Sequence, residues 1–199
     1  MASWIDADTP VFFDTDCLGC FLWTSNLLVL HRLFAGRICI PEEVVYEIMR
    51  RRSASPTIGL AQSDLKQFIA TGKARQVGIA VGSNGAEEFS RLVNGDFMGR
   101  RLGKGESAAL AHARTECGVI ASNNLSDIVS YCETYSLQWI TTTTILLYAV
   151  STERLPFEQA SALWERLIRA GTRMPYEDFA SAWSNEARCV TEAAAAIDT

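Results

Sequence analysis

Four carboxylates in this chain stand where chemistry could be done. Asp14 follows the apolar run Val11, Phe12, Phe13, and Asp16 comes two residues later; Glu47 lies four residues after Glu43 on a segment opened by Pro41. Glu106 follows Gly103, Lys104 and Gly105, and Asp127 lies just past Val119, Ile120 and Ala121, after the polar stretch Ser122, Asn123, Asn124. Converging carboxylates repel one another unless a divalent cation sits among them. Oxygen-only ligands select hard ions such as Mg²⁺ or Mn²⁺, which favour phosphate as a remaining ligand. Phosphodiester hydrolysis is then the natural reaction, because a bound cation lowers the pKa of water and neutralises charge on a phosphorane-like transition state. Ser122 and Asn123 could position substrate or water there.

Each acid also has an ordinary explanation. Asp14 and Asp16 could cap the helix that follows them. Glu43 and Glu47 share a helix face, where like charges cost a few tenths of a kcal/mol unless solvent or a cation relieves them. Glu106 in a first turn is favoured by the helix dipole without any function, and Asp127 could be a cap. What could unite the four is the fold.

The elements that would position them alternate along the chain. Residues 11–13 read as a strand, and the long apolar segment 18–34 reads as one helix stopped by Gly36. Residues 37–40 form a second strand, and Pro41 opens a helix running to Arg50 with Glu42 and Glu43 in its first turn. In the middle, 63–71 and 86–93 look helical and 76–81 looks like a strand, with Gly and Ser marking turns. A small-residue helix runs from Gly105 to Cys117 with Gly118 as its cap, then come a strand at 119–121, a helix at 126–135 and a strand at 137–140. This alternation predicts a parallel sheet covered on both faces, the three-layer α/β/α arrangement, and such sheets bind ligands beyond the carboxyl ends of their strands. Strand ends and the helix starts after them would bring Asp14, Glu106 and Asp127 to one edge, with Glu47. After Ser151 the alternation stops. Residues 157–170 and 176–188 read as a helical hairpin, so the expected organisation is a catalytic domain over 1–150 with an extension over 151–199 packed on it. The alanine-rich end, closing on Ile197, Asp198 and Thr199, is expected to fray.

Four segments carry a family resemblance: Val11-Phe12-Phe13-Asp14-Thr15-Asp16, Pro41-Glu42-Glu43-Val44-Val45-Tyr46-Glu47-Ile48, Gly103-Lys104-Gly105-Glu106-Ser107-Ala108, and Ala121-Ser122-Asn123-Asn124-Leu125-Ser126-Asp127-Ile128. In order and spacing they resemble the motifs of PIN-domain proteins. The stretch 163–174 is similar to the helical tail of a bacterial and archaeal PIN subgroup. The resemblance implies a PIN-like α/β/α fold and endoribonucleolytic cleavage with Mg²⁺ or Mn²⁺. It assigns Asp14, Glu47, Glu106 and Asp127 as the acidic catalytic positions, with Asp14, Glu106 and Asp127 on the metal. Many family members are toxins of toxin–antitoxin pairs, which would make a small antitoxin protein a partner beside the RNA substrate and a homodimer a candidate assembly. Two departures stand out: Asp16 occupies a position often held by a small polar residue, and Asn123-Asn124 stand where some relatives place acids.

Composition narrows the classes. The chain has 199 residues, 48% of them hydrophobic, enough for a core without disulfides or structural metals. Net charge is -5 with pI near 5.1, so no overall basic field holds nucleic acid. Any such substrate must meet local cations: Arg100, Arg101 and Lys104, directly before the Glu106 motif, are candidates for RNA backbone contacts, with Asp16, Ser122, Asn123 and Asn124 as further substrate-binding candidates. The arginine run 50–52 is a candidate for RNA backbone contacts as well, but reads first as a solvated face or a partner contact. Asp6 and Asp8 replace the positive start of an export signal, and no stretch approaches the roughly 20 apolar residues of a membrane span, so a soluble, cytoplasmic protein is expected. Cysteines at 17, 20, 39, 117, 132 and 189 lack a disulfide or zinc pattern, Cys17-Leu18-Gly19-Cys20 included, and read as mostly buried. His31 and His112 read as packing residues, and the four threonines 141–144 as a helix cap. The competing reading is a PIN-like module that binds RNA or protein without catalysis. A nucleotide-binding regulator would want a glycine-rich loop after the first strand, where Gly19 stands alone.

Overall fold

The computed structural model describes residues 8–52, 56–97 and 99–195. Five strands form an all-parallel sheet in the order β3-β2-β1-β4-β5: β1 (Val11–Phe13), β2 (Ile38–Pro41), β3 (Arg75–Val77), β4 (Val119–Ala121) and β5 (Trp139–Ile140). Helices cover both faces, giving the three-layer α/β/α fold read from the sequence. Successive strand residues point to opposite faces. Val11, Phe13, Ile38, Ile40, Val119 and Ala121 therefore pack into one core, and Phe12, Cys39 and Ile120 into the other. The first core is filled from α1 (Thr15–Leu22), α2 (Leu27–Phe34), α3 (Glu42–Arg50), α4 (Pro56–Ala70), α8 (Thr142–Ser151), α9 (Phe157–Arg169) and α10 (Phe179–Ala195). The second is filled from α5 (Asn84–Asn94), α6 (Lys104–Thr115) and α7 (Leu125–Tyr135).

The chain lays down β1, β2 and β3 towards one edge, then returns to place β4 on the free side of β1. The junction between β1 and β4 is thus the point where strand order reverses, the place beyond the strand ends where open parallel sheets bind their ligands. Phe13 is level with Ala121, and the Asp14 amide donates to the Ala121 carbonyl at 3.0 Å.

The extension joins the main core rather than forming its own. Leu163, Trp164, Leu167, Phe179 and Ala182 are buried with the sheet residues, and α10 packs chiefly on α8 rather than on α9. Residues 196–199, expected to fray, lie outside the described residues. Among the described residues no single helix is long and apolar enough to cross a membrane.

Three local expectations are corrected. The apolar segment 18–34 is two helices meeting at 114°. Thr24, Ser25 and Asn26 make the break: Ser25 takes φ 57°, the Thr24 hydroxyl donates to the Cys20 carbonyl at 2.6 Å, and the Asn26 backbone amide donates to the Phe21 carbonyl at 2.7 Å. Short polar side chains compete with the helix ladder in this way. The left-handed residue after α6 is Cys117, at φ 52°, not Gly118. Gly118 is needed for a different reason: a Cβ there would run into the Phe12 ring and stand 2.9 Å from the Pro10 carbonyl oxygen. Finally, β3 is shorter than expected and ends at Val77, with Val81 fully exposed beyond it.

Candidate functional site

Each of the four acids sits near the start of a helix or on the helix after a strand, so the sheet delivers them to its carboxyl edge. Asp14 caps α1, its Oδ1 accepting the Cys17 amide at 2.7 Å, yet it is only 3% exposed. Burial lifts the Asp14 carboxyl to about 7, and the neighbouring charge of Asp16 adds to the rise. Hydrogen bonds from the Ser122 hydroxyl and the Cys17 amide favour the ionised form, but burial outweighs both. Glu106 lies in the first turn of α6. Burial raises it first, then the charges of Asp14 and Asp16, also to about 7, with Arg100 and the Asn124 side chain pulling the other way. Its Oε1 is buried with no hydrogen-bond partner. The structure therefore brings Asp14, Asp16 and Glu106 into one electrostatic neighbourhood.

Glu47 is placed differently. Its two oxygens are taken, Oε1 by the Gly105 amide at 2.9 Å and Oε2 by the Thr15 hydroxyl at 2.5 Å. One carboxylate thereby ties α3 to the first turns of α1 and α6, the turns that follow Asp14 and carry Glu106. Gly105 permits this approach, since a Cβ there would stand 2.6 Å from Thr15 Oγ1 and 2.8 Å from Glu47 Oε2. Asp127, in the first turn of α7, pairs with Arg100 and accepts from the Asn124 side-chain amide at 2.7 Å and the Ser126 hydroxyl at 2.9 Å. Among the described residues no three His, Cys, Asp or Glu side chains lie close enough to form a ready-made metal cage. Of the four acids, Asp14 and Glu106 are the two whose ionisation burial opposes, while Glu47 and Asp127 are engaged by donors of the chain itself.

The substrate-contact candidates separate as well. Asp16 and Lys104 are exposed at the edge. Arg100 is exposed but tied to Asp127, and Arg101 is exposed with its stem against Gly95. Ser122 is fully buried, accepts the Asn124 backbone amide at 3.1 Å and serves Asp14, so it acts through that carboxylate instead of touching a substrate. Asn123 exchanges two bonds with Thr142 at the start of α8, each 2.9 Å, and lies 3.4 Å from Cys20 Sγ. Its side chain is a brace for β4 and α8. Asn124 bridges Asp127 and the side of Glu106.

Cys17 and Cys20 belong to this wall. Both are buried, Cys17 Sγ is 3.7 Å from Thr142 Oγ1, and burial pushes both thiols up, which suits packing and not redox work. Cys39 and Cys132 are also buried, whereas Cys117 is exposed. Thr141 caps α8 through a reciprocal box with Thr144, the capping role read for that threonine run.

One charged group escaped the sequence reading. Glu88, 7% exposed on α5, takes Arg91 at 2.7 Å, Arg114 and the Tyr131 hydroxyl at 2.5 Å. Burial alone would raise its carboxyl, but these partners hold it below the ordinary range. Arg114 in turn lies over the Tyr135 ring at 3.7 Å. Arg91 shares α5 with Glu88, Arg114 comes from α6 and Tyr131 from α7, so the network locks together the layer that carries Glu106 and Asp127. The i,i+3 spacing of Glu88 and Arg91 was the only sequence signal for it.

Comparison with protein-family models gives no match, and comparison with curated proteins gives none.

Proposed function

We propose that this chain is a metal-dependent endoribonuclease of PIN-like design, hydrolysing RNA phosphodiester bonds at the carboxyl edge of the sheet where β1 and β4 meet. The observation that carries the reading is the pair Asp14 and Glu106: two carboxyls raised to about 7 by burial and neighbouring charge, one with an orphaned oxygen, at the switch point of a parallel sheet. Such a pair suits a hard divalent cation, whose charge offsets the repulsion and satisfies the free Glu106 oxygen. Asp14 and Glu106 would hold Mg²⁺ or Mn²⁺, with Asp127, now paired with Arg100 and Asn124, as the third ligand that the motif resemblance adds, and the ion would supply activated water and charge neutralisation.

The remaining residues set this pair in place. Cys17 and Ser122 fix the Asp14 carboxylate in one orientation. Glu47, bound to Thr15 and Gly105, sets the separation of the α1 and α6 first turns. Lys104, exposed at the start of α6, offers a cation to a phosphate entering the edge, and the side-chain amide of Asn124 orients Asp127. A toxin role, with a small antitoxin as partner, belongs to the same proposal and rests on the motif resemblance.

The deciding experiment is cleavage of a labelled RNA with Mn²⁺ titration, for the unaltered chain and Asp14→Asn. Metal-dependent cleavage lost by orders of magnitude in a folded Asp14→Asn supports the reading; full activity in that variant refutes it. A folded chain that neither binds Mn²⁺ up to millimolar concentration nor cleaves would instead be a binding module on the same fold.

A further inference from the structure

A cleft of about 1070 Å³ runs along α3, between that helix, β3, α5 and the start of α6. On α3 the lining runs from Glu42 and Glu43 in the first turn, through Glu47, to Arg50 and Arg51 at the end of the helix, and Lys104 lines it from α6. Charge is thus graded along one nine-residue helix, roughly 13 Å long. Acids occupy its first turns, and arginines 50–52 close it in a protein whose net charge is -5.

The lining between the two ends is chiefly apolar, and it includes Tyr46, 59% exposed. An exposed aromatic ring beside arginines is a stacking platform for bases. The Arg50 guanidinium lies 5.3 Å from the Tyr46 ring centroid and donates from Nη1 to the Tyr46 hydroxyl at 3.2 Å, and Arg51 lies 5.2 Å from the ring centroid of Trp23, so both cations are held beside rings with their charge available to phosphate. Glu43, also on the cleft, has its Oε2 buried without a hydrogen-bond partner. An unpaired carboxylate oxygen suits a hydroxyl donor, and the ribose 2′-hydroxyl is the donor that separates RNA from DNA.

We infer that the α3 cleft is the track for a single-stranded RNA leaving the acidic edge, with a base stacked on Tyr46, phosphates on Arg50 and Arg51, and a ribose hydroxyl on Glu43. This deepens the ribonuclease reading and rests on it. The cleft fits a single strand because base stacking on an open ring needs an unpaired base.

The test compares the full chain with Tyr46→Ala, Arg50→Ala and Glu43→Gln, three changes outside the Asp14 and Glu106 pair, on a short oligouridylate and its deoxy counterpart. Tyr46→Ala should raise KM, or the Kd measured by fluorescence anisotropy, on the order of tenfold with kcat little changed. Arg50→Ala should also flatten the salt dependence of binding by about one counterion. Glu43→Gln should narrow the preference for ribose over deoxyribose. If the chain cleaves RNA and all three variants match it in KM, salt slope and sugar preference, the cleft is not the track, the ribonuclease reading stands, and a protein partner becomes its occupant. If the chain never cleaves, anisotropy still decides: weaker oligouridylate binding in Tyr46→Ala keeps the track on a non-catalytic protein, and unchanged or absent binding overturns it.

Discussion

Replacing Asp14 by asparagine should make the metal-free protein more stable at neutral pH and leave it unchanged in acid. Asparagine keeps the size of the side chain and an oxygen that can accept the Cys17 amide, so the α1 cap survives. What disappears is a buried charge. The Asp14 carboxyl rises from 3.8 to about 7 on folding, about three units at 1.36 kcal/mol each, or about 4 kcal/mol as an upper figure. The sign follows from proton uptake. Between about pH 4 and 7 the folded protein holds a proton on Asp14 that the unfolded chain has released, so stability falls as pH rises through that window and levels off above it. The variant lacks this fall, and Glu106, relieved of the Asp14 charge, shifts in the same direction. Thermal melts in EDTA at half-unit steps from about pH 4 to 8 should show coincident curves at the acid end and a gap of roughly 10 °C at the alkaline end, with the variant melting higher. Mn²⁺ should narrow that gap. A gap independent of pH, or a variant less stable than the unaltered chain at the alkaline end, would refute burial of an uncompensated charge at this position.

Two further outcomes test the frame around the site. Gly118→Ala should destabilise by about 1–3 kcal/mol, because its Cβ meets the Phe12 ring and the Pro10 carbonyl with no room to move; a neutral melt would show that β1 and the end of α6 are not packed as described. Glu88→Gln should lower stability by about 2 kcal/mol at neutral pH, less than a fully buried pair would lose, because Arg91 and Arg114 are each about a third exposed. Since partners hold Glu88 below its ordinary 4.5, the wild-type advantage should be present above that pH and shrink as acid protonates the folded carboxylate; an advantage that persists unchanged at about pH 2.5 would contradict the network.

The helix starts that carry Asp14, Glu106 and Asp127 were legible because each follows a short apolar run or a glycine turn. How each acid is engaged was not legible. Glu47 looks like a solvated partner of Glu43 in one dimension; its bonds to Thr15 and Gly105 reach 32 and 58 residues along the chain. Glu88 likewise finds Arg114 and Tyr131 at separations of 26 and 43 residues. The break between α1 and α2 was written in Thr24, Ser25 and Asn26, but the apolar period on both sides outweighed it. At Gly118 composition pointed to a helix cap, whereas the reason for glycine is a ring on the neighbouring strand.

The late insertion of β4 beside β1 bears on a chain emerging from the ribosome. Asp14 is made early, yet its amide partner is Ala121, its hydroxyl donor is Ser122, and the first turn of α7 comes later still. Until those residues have been synthesised, the inner edge of β1 has no neighbour and the carboxyl pair has no wall on one side. A chain made only as far as residue 100 therefore carries Asp14 with neither Glu106 nor β4 beside it. Because the entropy of closing a loop grows only with the logarithm of its length, postponing that contact by roughly a hundred residues adds little to the work of folding. On the ribonuclease reading proposed above, the order of the strands would keep the growing chain harmless to the message that encodes it.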